Sequence, residues 1–409
     1  MFSRPHAGDF FYFWRMAIIL FDDNARETLL PLTFTRPVAD LRIGILTIAE
    51  KWGKYLATGF SYLTQPYLQI KYPLNIAEGN IFINGSVCPD EELLEAIDKL
   101  AEGEALSQQG KLIAVKLDAT AAAEFSLAEQ NYSPIEYTGQ LVSITYPEHI
   151  FKKNDQELKK DYILLTKGRA SQPVSSTNTV LGDQLFLEEG ASAECAILNT
   201  LHGPIYIGRN SEVWEGSAIR GSFALCMESQ VKMGTKVYPG TTVGPYSRVG
   251  GEINNAVIWG YSSKGHEGYL GNSVMGEWCN IGADSNNSNL KNNYADVRLW
   301  DYSHKSYRNT GLQFCGLVMA DHAKCGINTM FNTGTVVGVS ANVFDAGFPP
   351  NFIPDFSWGG AKAMEEYRLD KVLQTAAKVI SRREHRVFDE TEIAILTEIF
   401  NTTKQYRQF

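Results

Sequence analysis

A histidine stands in the run Gly265-His266-Glu267-Gly268-Tyr269-Leu270-Gly271, and Asn280-Ile281-Gly282-Ala283 follows closely. Imidazole changes charge near neutral pH, so a histidine held in place suits the removal of a proton from an attacking group. A lone loop histidine is ordinarily just solvated, and its meaning depends on what surrounds it. A second charged group follows the apolar run at residues 16–21: Asp22, Asp23, Arg26, Arg36 and Arg42. The ordinary reading of Arg26 and Arg42 is a surface ion pair. A third set, Asp321, His322 and Lys324, reads either as a polar ledge or as a solvated coil corner.

The elements around these residues follow from hydrophobic period. From residue 203 onward, apolar residues recur every six positions: Ile207, Val213, Ile219, Leu225, Val231, Val237, Val243 and Val249. Tyr269, Met275 and Ile281 form a second register, and Met319, Cys325, Phe331, Val337 and Val343 a third. A period of six fits neither a helix nor a lone strand. It predicts a parallel β-helix over 203–358, three hexads to each triangular coil. The breaks between registers predict loops leaving the coil. The apolar run at 16–21, with strand signals at 81–83, 112–117 and 141–145, alternates with helical patterns near 43–56, 91–102 and 120–128. That predicts an α/β domain over 16–150 with a mostly parallel sheet. Residues 151–202 read as a connector. Residues 359–409 read as a helical segment capping the solenoid, with Met364, Tyr367, Val372, Leu373, Ala376, Val379 and Ile380 on one face. Residues 1–15 read as an aromatic-rich extension, with the fold starting at Met16.

Composition narrows the function. A net charge of −9 gives no general basic field for nucleic acid. No apolar run is long enough to predict a membrane span. The six cysteines are scattered without zinc or redox spacing, which predicts reduced, buried thiols in a cytoplasmic protein.

The loop at 265–271 and the run at 280–283 resemble the acetyltransferase half of the GlmU family, the bifunctional UDP-N-acetylglucosamine diphosphorylase/glucosamine-1-phosphate N-acetyltransferases. The likeness is strong over about 40 residues and loose over the repeat region. It implies a left-handed β-helix, acetyl-CoA as co-substrate and an amino-sugar phosphate as acceptor. His266 would be the base, Glu252 the carboxylate orienting it, and Tyr269, Asn289 and Arg248 contacts to the sugar phosphate. The sequence departs from the family where Asn254 replaces a basic residue.

In front of the β-helix the family carries a Rossmann-like nucleotidyltransferase domain. Leu30-Pro31-Leu32-Thr33 and Arg36-Pro37 fit its pattern, with Arg26 as the loop arginine and Arg36 and Arg42 near the nucleotide. The glycine-rich loop is missing. Asn84-Gly85-Ser86 stands where a Mg²⁺-binding carboxylate is expected, so Asp22 or Asp23 would have to hold the metal. The resemblance implies UTP as a further substrate and a homotrimer, with Trp214, Phe223, Tyr238 and Tyr246 as apolar contacts. Two other readings remain: a nucleotidyltransferase whose β-helix serves only assembly, and a non-catalytic assembly protein.

Overall fold

The continuous apolar run Met-Ala-Ile-Ile-Leu-Phe has no polar face, so its strand must be covered on both sides. It forms β1 (Met16–Phe21), inside a six-stranded sheet with β2 (Ser61–Leu63), β3 (Gly79–Asn84), β4 (Glu104–Gln108), β5 (Lys111–Asp118) and β6 (Ser133–Glu136). The sheet order is β2-β1-β3-β5-β4-β6. This computed structural model describes residues 16–127 and 132–409, so the extension at 1–15 lies outside the described residues. Among the described residues, those in 16–26, 36–41 and 46–145 form one compact unit, and those in 27–35, 42–45 and 146–409 a second.

Five of the six strands run the same way, as expected of a mostly parallel sheet, and β5 alone is reversed. β1 runs parallel to β2 and β3, while β5 runs antiparallel to β3 and β4. The cause is a two-residue hairpin. Gln109 and Gly110 both have positive φ, 51° and 79°, the backbone of a tight primed turn, so β5 returns beside β4. Helix α1 (Ile48–Leu56) starts where the sequence provides a capping box: Thr47 Oγ1 accepts from Glu50 N at 3.1 Å, and Glu50 Oε2 accepts from Thr47 N at 2.7 Å.

In the second unit the six-residue register becomes a three-faced parallel β-helix. Ile207, Leu225 and Val243 stack along one face, Val213, Val231 and Val249 along another, Ile219 and Val237 along the remaining one. All are buried in a single lumen that runs from Leu187 to Ile353. β-helix strands occur before residue 203, beginning at Thr179–Leu181, and a long helix α2 (Pro147–Thr166) occupies the start of the stretch read as a connector.

The two register breaks differ in nature. The first is a shortened coil, not a projecting loop. Val243 pairs with Ile258, three residues short of three hexads, and two faces merge into the long strands β7 (Glu252–Ile258) and β8 (Tyr269–Met275). That shift moves Leu270 into the lumen and turns Tyr269 outward, contrary to the six-residue reading. The second break is a true excursion. It carries an antiparallel hairpin of Arg298–Asp301 and Ser306–Asn309 before the coil resumes at Leu317.

Beyond the last coil, residues 364–366 form an edge strand antiparallel to Ser357–Gly359 instead of opening a helix. An antiparallel partner and Phe400 against Phe356 at 5.1 Å blunt the open end of the sheet. Helix α3 (Leu369–Ile380) begins after it and buries Val372, Ala376 and Ile380, leaving Leu373 and Val379 only partly covered. Among the described residues no helix is long and apolar enough to cross a membrane. Five of the six cysteines are buried, and Cys195 is exposed.

Candidate functional site

The shortened coil aligns polar side chains. Lys236, Glu252 and Tyr269 follow one another in register on adjacent strands. Their neighbours Val237, Ile253 and Leu270 fill the lumen, so these three point outward. Asn254, two residues beyond Glu252, is on the same outer side, and its Nδ2 approaches Tyr269 Oη at 3.4 Å. Asn289 Nδ2 donates to Tyr269 Oη at 2.9 Å and to Asn272 Oδ1 at 2.7 Å. Burial pushes the Tyr269 phenol above its ordinary range, opposed by the bonds from Asn254 and Asn289.

Beside this ladder, amide side chains replace backbone pairing. Asn286 Oδ1 accepts from Tyr269 N at 2.8 Å, and Asn287 Oδ1 from Gly271 N at 2.9 Å. Asn287 Nδ2 donates back to Gly271 O at 3.0 Å. This explains the density of asparagine in the sequence here: each amide satisfies a strand edge while leaving room for a side-chain cluster.

His266 is exposed on the turn between Ser263–Lys264 and β8, three residues before Tyr269. The turn demands glycine at 268: φ is 113°, and a Cβ there would fall 2.1 Å from Ser285 O. Among the described residues no side-chain hydrogen bond joins His266 to Glu252; the Glu252 N–H donates to the carbonyl of Gly268, in the same turn as His266, at 3.1 Å. Arg248 is not on the ladder. It projects from a different face, where its Nε donates to Gln230 Oε1 at 3.1 Å, an oxygen that also accepts from Lys232 Nζ at 2.9 Å. The cation in register with Glu252 is Lys236, which sequence reasoning missed because one lysine in a repeat looks like any solvated side chain.

Behind the turn lies an unusual lysine. Lys264 pairs with Val249 in the ladder and so takes a lumen position that is aliphatic in neighbouring coils. Its side chain is 1% exposed, and Nζ donates to the carbonyls of Gly250 (3.0 Å), His266 (2.6 Å) and Glu267 (3.2 Å). Burial lowers its pKa to about 8.

The set at 321–324 is not a solvated corner. Asp321 is buried and accepts from Glu277 N at 2.7 Å and Thr35 Oγ1 at 2.6 Å. His322 is buried at the end of a corner stack of Tyr246, Tyr261 and Trp278, and Lys324 Nζ donates to the His322 carbonyl at 2.8 Å. Phe223, expected as a contact between copies, is fully buried in the lumen beside Leu225. Tyr246 stacks on Tyr261 and His385, Trp214 lies under Lys232, and Tyr238 is exposed.

In the first unit, Asp22 and Asp23 close β1. Asp22 accepts from Val38 N at 2.8 Å and Thr64 Oγ1 at 2.6 Å, and burial raises its pKa to about 6. Arg26 lies 4.0 Å from Asp22 and donates to Tyr67 Oη at 2.8 Å. Arg36 pairs with Asp40 at 3.5 Å. Both arginines are buried, not surface pairs. Arg42 falls in the other unit, where it donates to the Ile45 carbonyl.

Asp23 accepts from Ala25 N and Asn84 Nδ2, and Lys111 Nζ stands 3.4 Å from it. The same ammonium donates to Ser86 Oγ (2.8 Å) and Ser143 Oγ (2.7 Å). Mg²⁺ needs several oxygens free of other donors. Here an ammonium already neutralises Asp23 and protein donors surround both carboxylates, so this arrangement does not fit the metal. Among the described residues no group of three or more His, Cys, Asp or Glu is disposed to hold one.

Residues 18–170 match the sugar nucleotidyl transferase family. The likeness to GlmU read from the loop residues also has a counterpart: the bifunctional protein GlmU of Methanocaldococcus jannaschii is 31% identical over 87 residues. That match spans 21% of this chain and 21% of the relative, about a fifth of its length. Among solved structures, a UDP-N-acetylglucosamine acyltransferase of Francisella novicida aligns at 10% identity, over 56% of this chain and 90% of that one, with a TM-score of 0.23. One from Bacteroides fragilis aligns at 12%, over 57% and 98%, with a TM-score of 0.21.

Proposed function

We propose that the β-helix unit transfers an acetyl group from acetyl-CoA to the amine of a sugar phosphate, with glucosamine 1-phosphate as the acceptor. The observation that carries this reading is the outward ladder of Lys236, Glu252 and Tyr269 beside His266, on a rigid coil. In the proposed step the amine nitrogen attacks the thioester carbonyl. The N–C bond forms, the C–S bond breaks, the thiolate of CoA leaves, and His266 takes the ammonium proton. Glu252 supports the imidazolium that results. Tyr269 and Asn289 hold the sugar, while Lys236 faces the phosphate in place of the basic residue that Asn254 replaces.

The family match over 18–170 supports pairing this step with nucleotidyl transfer from UTP, yielding UDP-N-acetylglucosamine. The proposed assembly is a homotrimer in the cytoplasm. Thiol release should appear with acetyl-CoA and glucosamine 1-phosphate and disappear when the amine is already acetylated. Equal release with both acceptors, or none with either, overturns the reading. In the second case pyrophosphate release from UTP and a sugar 1-phosphate decides whether the protein is a nucleotidyltransferase with a β-helix used only for assembly.

A further inference from the structure

The lumen of a β-helix is a dry, aliphatic column, and an ammonium placed there loses its hydration. Lys264 stands in that column opposite Val249, 1% exposed, with Ile281 on the following coil also inside. Nothing about coil packing asks for a charge at this position, since Val249 and Ile281 fill it on the flanking coils and only uncharged side chains, Ala193 and Cys325 among them, fill it further along. What is peculiar to this coil is the turn that follows. At 265–268 the chain leaves one face and enters the next, and the carbonyls of His266 and Glu267 turn back toward the lumen. Lys264 Nζ gathers both, at 2.6 and 3.2 Å, together with the Gly250 carbonyl of the preceding coil at 3.0 Å.

We propose that Lys264 is a positioning residue for His266: its three N–H donors tie the 265–268 turn to the coil beneath and so fix the backbone that carries the imidazole. This rests on the acetyl-transfer reading for its effect on rate, but the tie itself is a property of the fold. The titratable groups facing the ammonium are Glu267 and Asp284, which hold its charge, and the Cys325 thiol two coils on. Three carbonyls need three donors, and a neutral amine has two. Loss of the proton therefore releases one carbonyl and loosens the turn. The lowered pKa of about 8 brings that event within reach of ordinary assay conditions.

Two measurements on the full chain test this. In Lys264→Met the thioether fills the lumen without donating. Amide hydrogen exchange at 265–269 should rise about tenfold or more relative to amides of the neighbouring coil, which keep their protection. The kcat for acetyl transfer should fall about 10- to 100-fold while the KM for acetyl-CoA stays within about twofold. Unchanged exchange at 265–269 overturns the proposal. If the wild type shows no acetyl transfer, that failure belongs to the functional reading, and the exchange arm still decides the positioning role.

If Lys264→Met does not fold, the wild type supplies the test. Protection at 265–269, corrected for intrinsic exchange, should drop with a midpoint near pH 8. Protection that stays constant through that range overturns the proposal.

Discussion

His266 is legible from the sequence because its loop has a distinctive pattern, but the side chains that shape the loop are not. Nothing in the sequence singles out Lys264 or Lys111, and only the fold shows one inside a coil and the other against Asp23. Tyr269 falls in the six-residue register by sequence but faces outward in the fold, because a coil short by three residues moves every side chain after it. Gly268 offers a sharp test at this scale. Any β-carbon there meets Ser285 O at 2.1 Å, and φ is 113°. Gly268→Ala should lower stability by about 1–3 kcal/mol and displace the turn. Thermal unfolding together with exchange at 265–269 checks this; a variant as stable and as protected as wild type contradicts it. In the first unit, Asp23→Asn removes the carboxylate that balances Lys111. If the family match reflects retained nucleotidyl transfer, pyrophosphate release should fall in this variant, and unchanged release would exclude Asp23 from that chemistry.

The β-helix announced itself because each lumen position requires an aliphatic side chain and each coil repeats the requirement. Helix α2 did not, because it buries polar groups: Glu148, Asn154, Glu157 and Asp161 are all inside. They have partners no periodicity reveals. Asn154 bonds Gly44 N and Gly240 O, and Glu148 accepts from Arg308 at 2.6 Å. Removing lumen volume should be expensive: Phe331→Ala is expected to cost about 3–5 kcal/mol by chemical denaturation, against less than about 0.5 for an exposed coil residue such as Met233. Equal effects at both positions would argue against a packed lumen. At the last coil, Asp355 is fully buried between Val339 N and Tyr302 Oη, with its pKa raised by burial from 3.8 to about 6. A folded-state pKa above the unfolded one means the contribution is fully present below pH 3.8 and is lost as pH rises through about 6. A shift of about two units corresponds to on the order of 3 kcal/mol. Asp355→Asn should flatten this part of the pH dependence of unfolding; an unchanged profile would contradict it.

For the whole molecule, the proposal of two linked activities rests on a sugar nucleotidyl transferase match in residues 18–170 and an outward polar ladder on a β-helix. The one reversed strand in the mostly parallel sheet of the first unit is not legible in the sequence, because Gln109-Gly110 is a weak turn signal there and a decisive one in backbone geometry. Assembly is testable directly: sedimentation equilibrium at micromolar protein should give three times the chain mass of 45.5 kDa, and a monomer would contradict the proposed trimer. The central claim is that His266 removes the proton from an amino sugar. Its most direct test is thiol release from acetyl-CoA with glucosamine 1-phosphate, comparing wild type and His266→Ala. A general base contributes about 10²–10⁴-fold, so turnover should fall by that factor with acetyl-CoA binding nearly intact. Wild-type turnover remaining in His266→Ala would contradict the account.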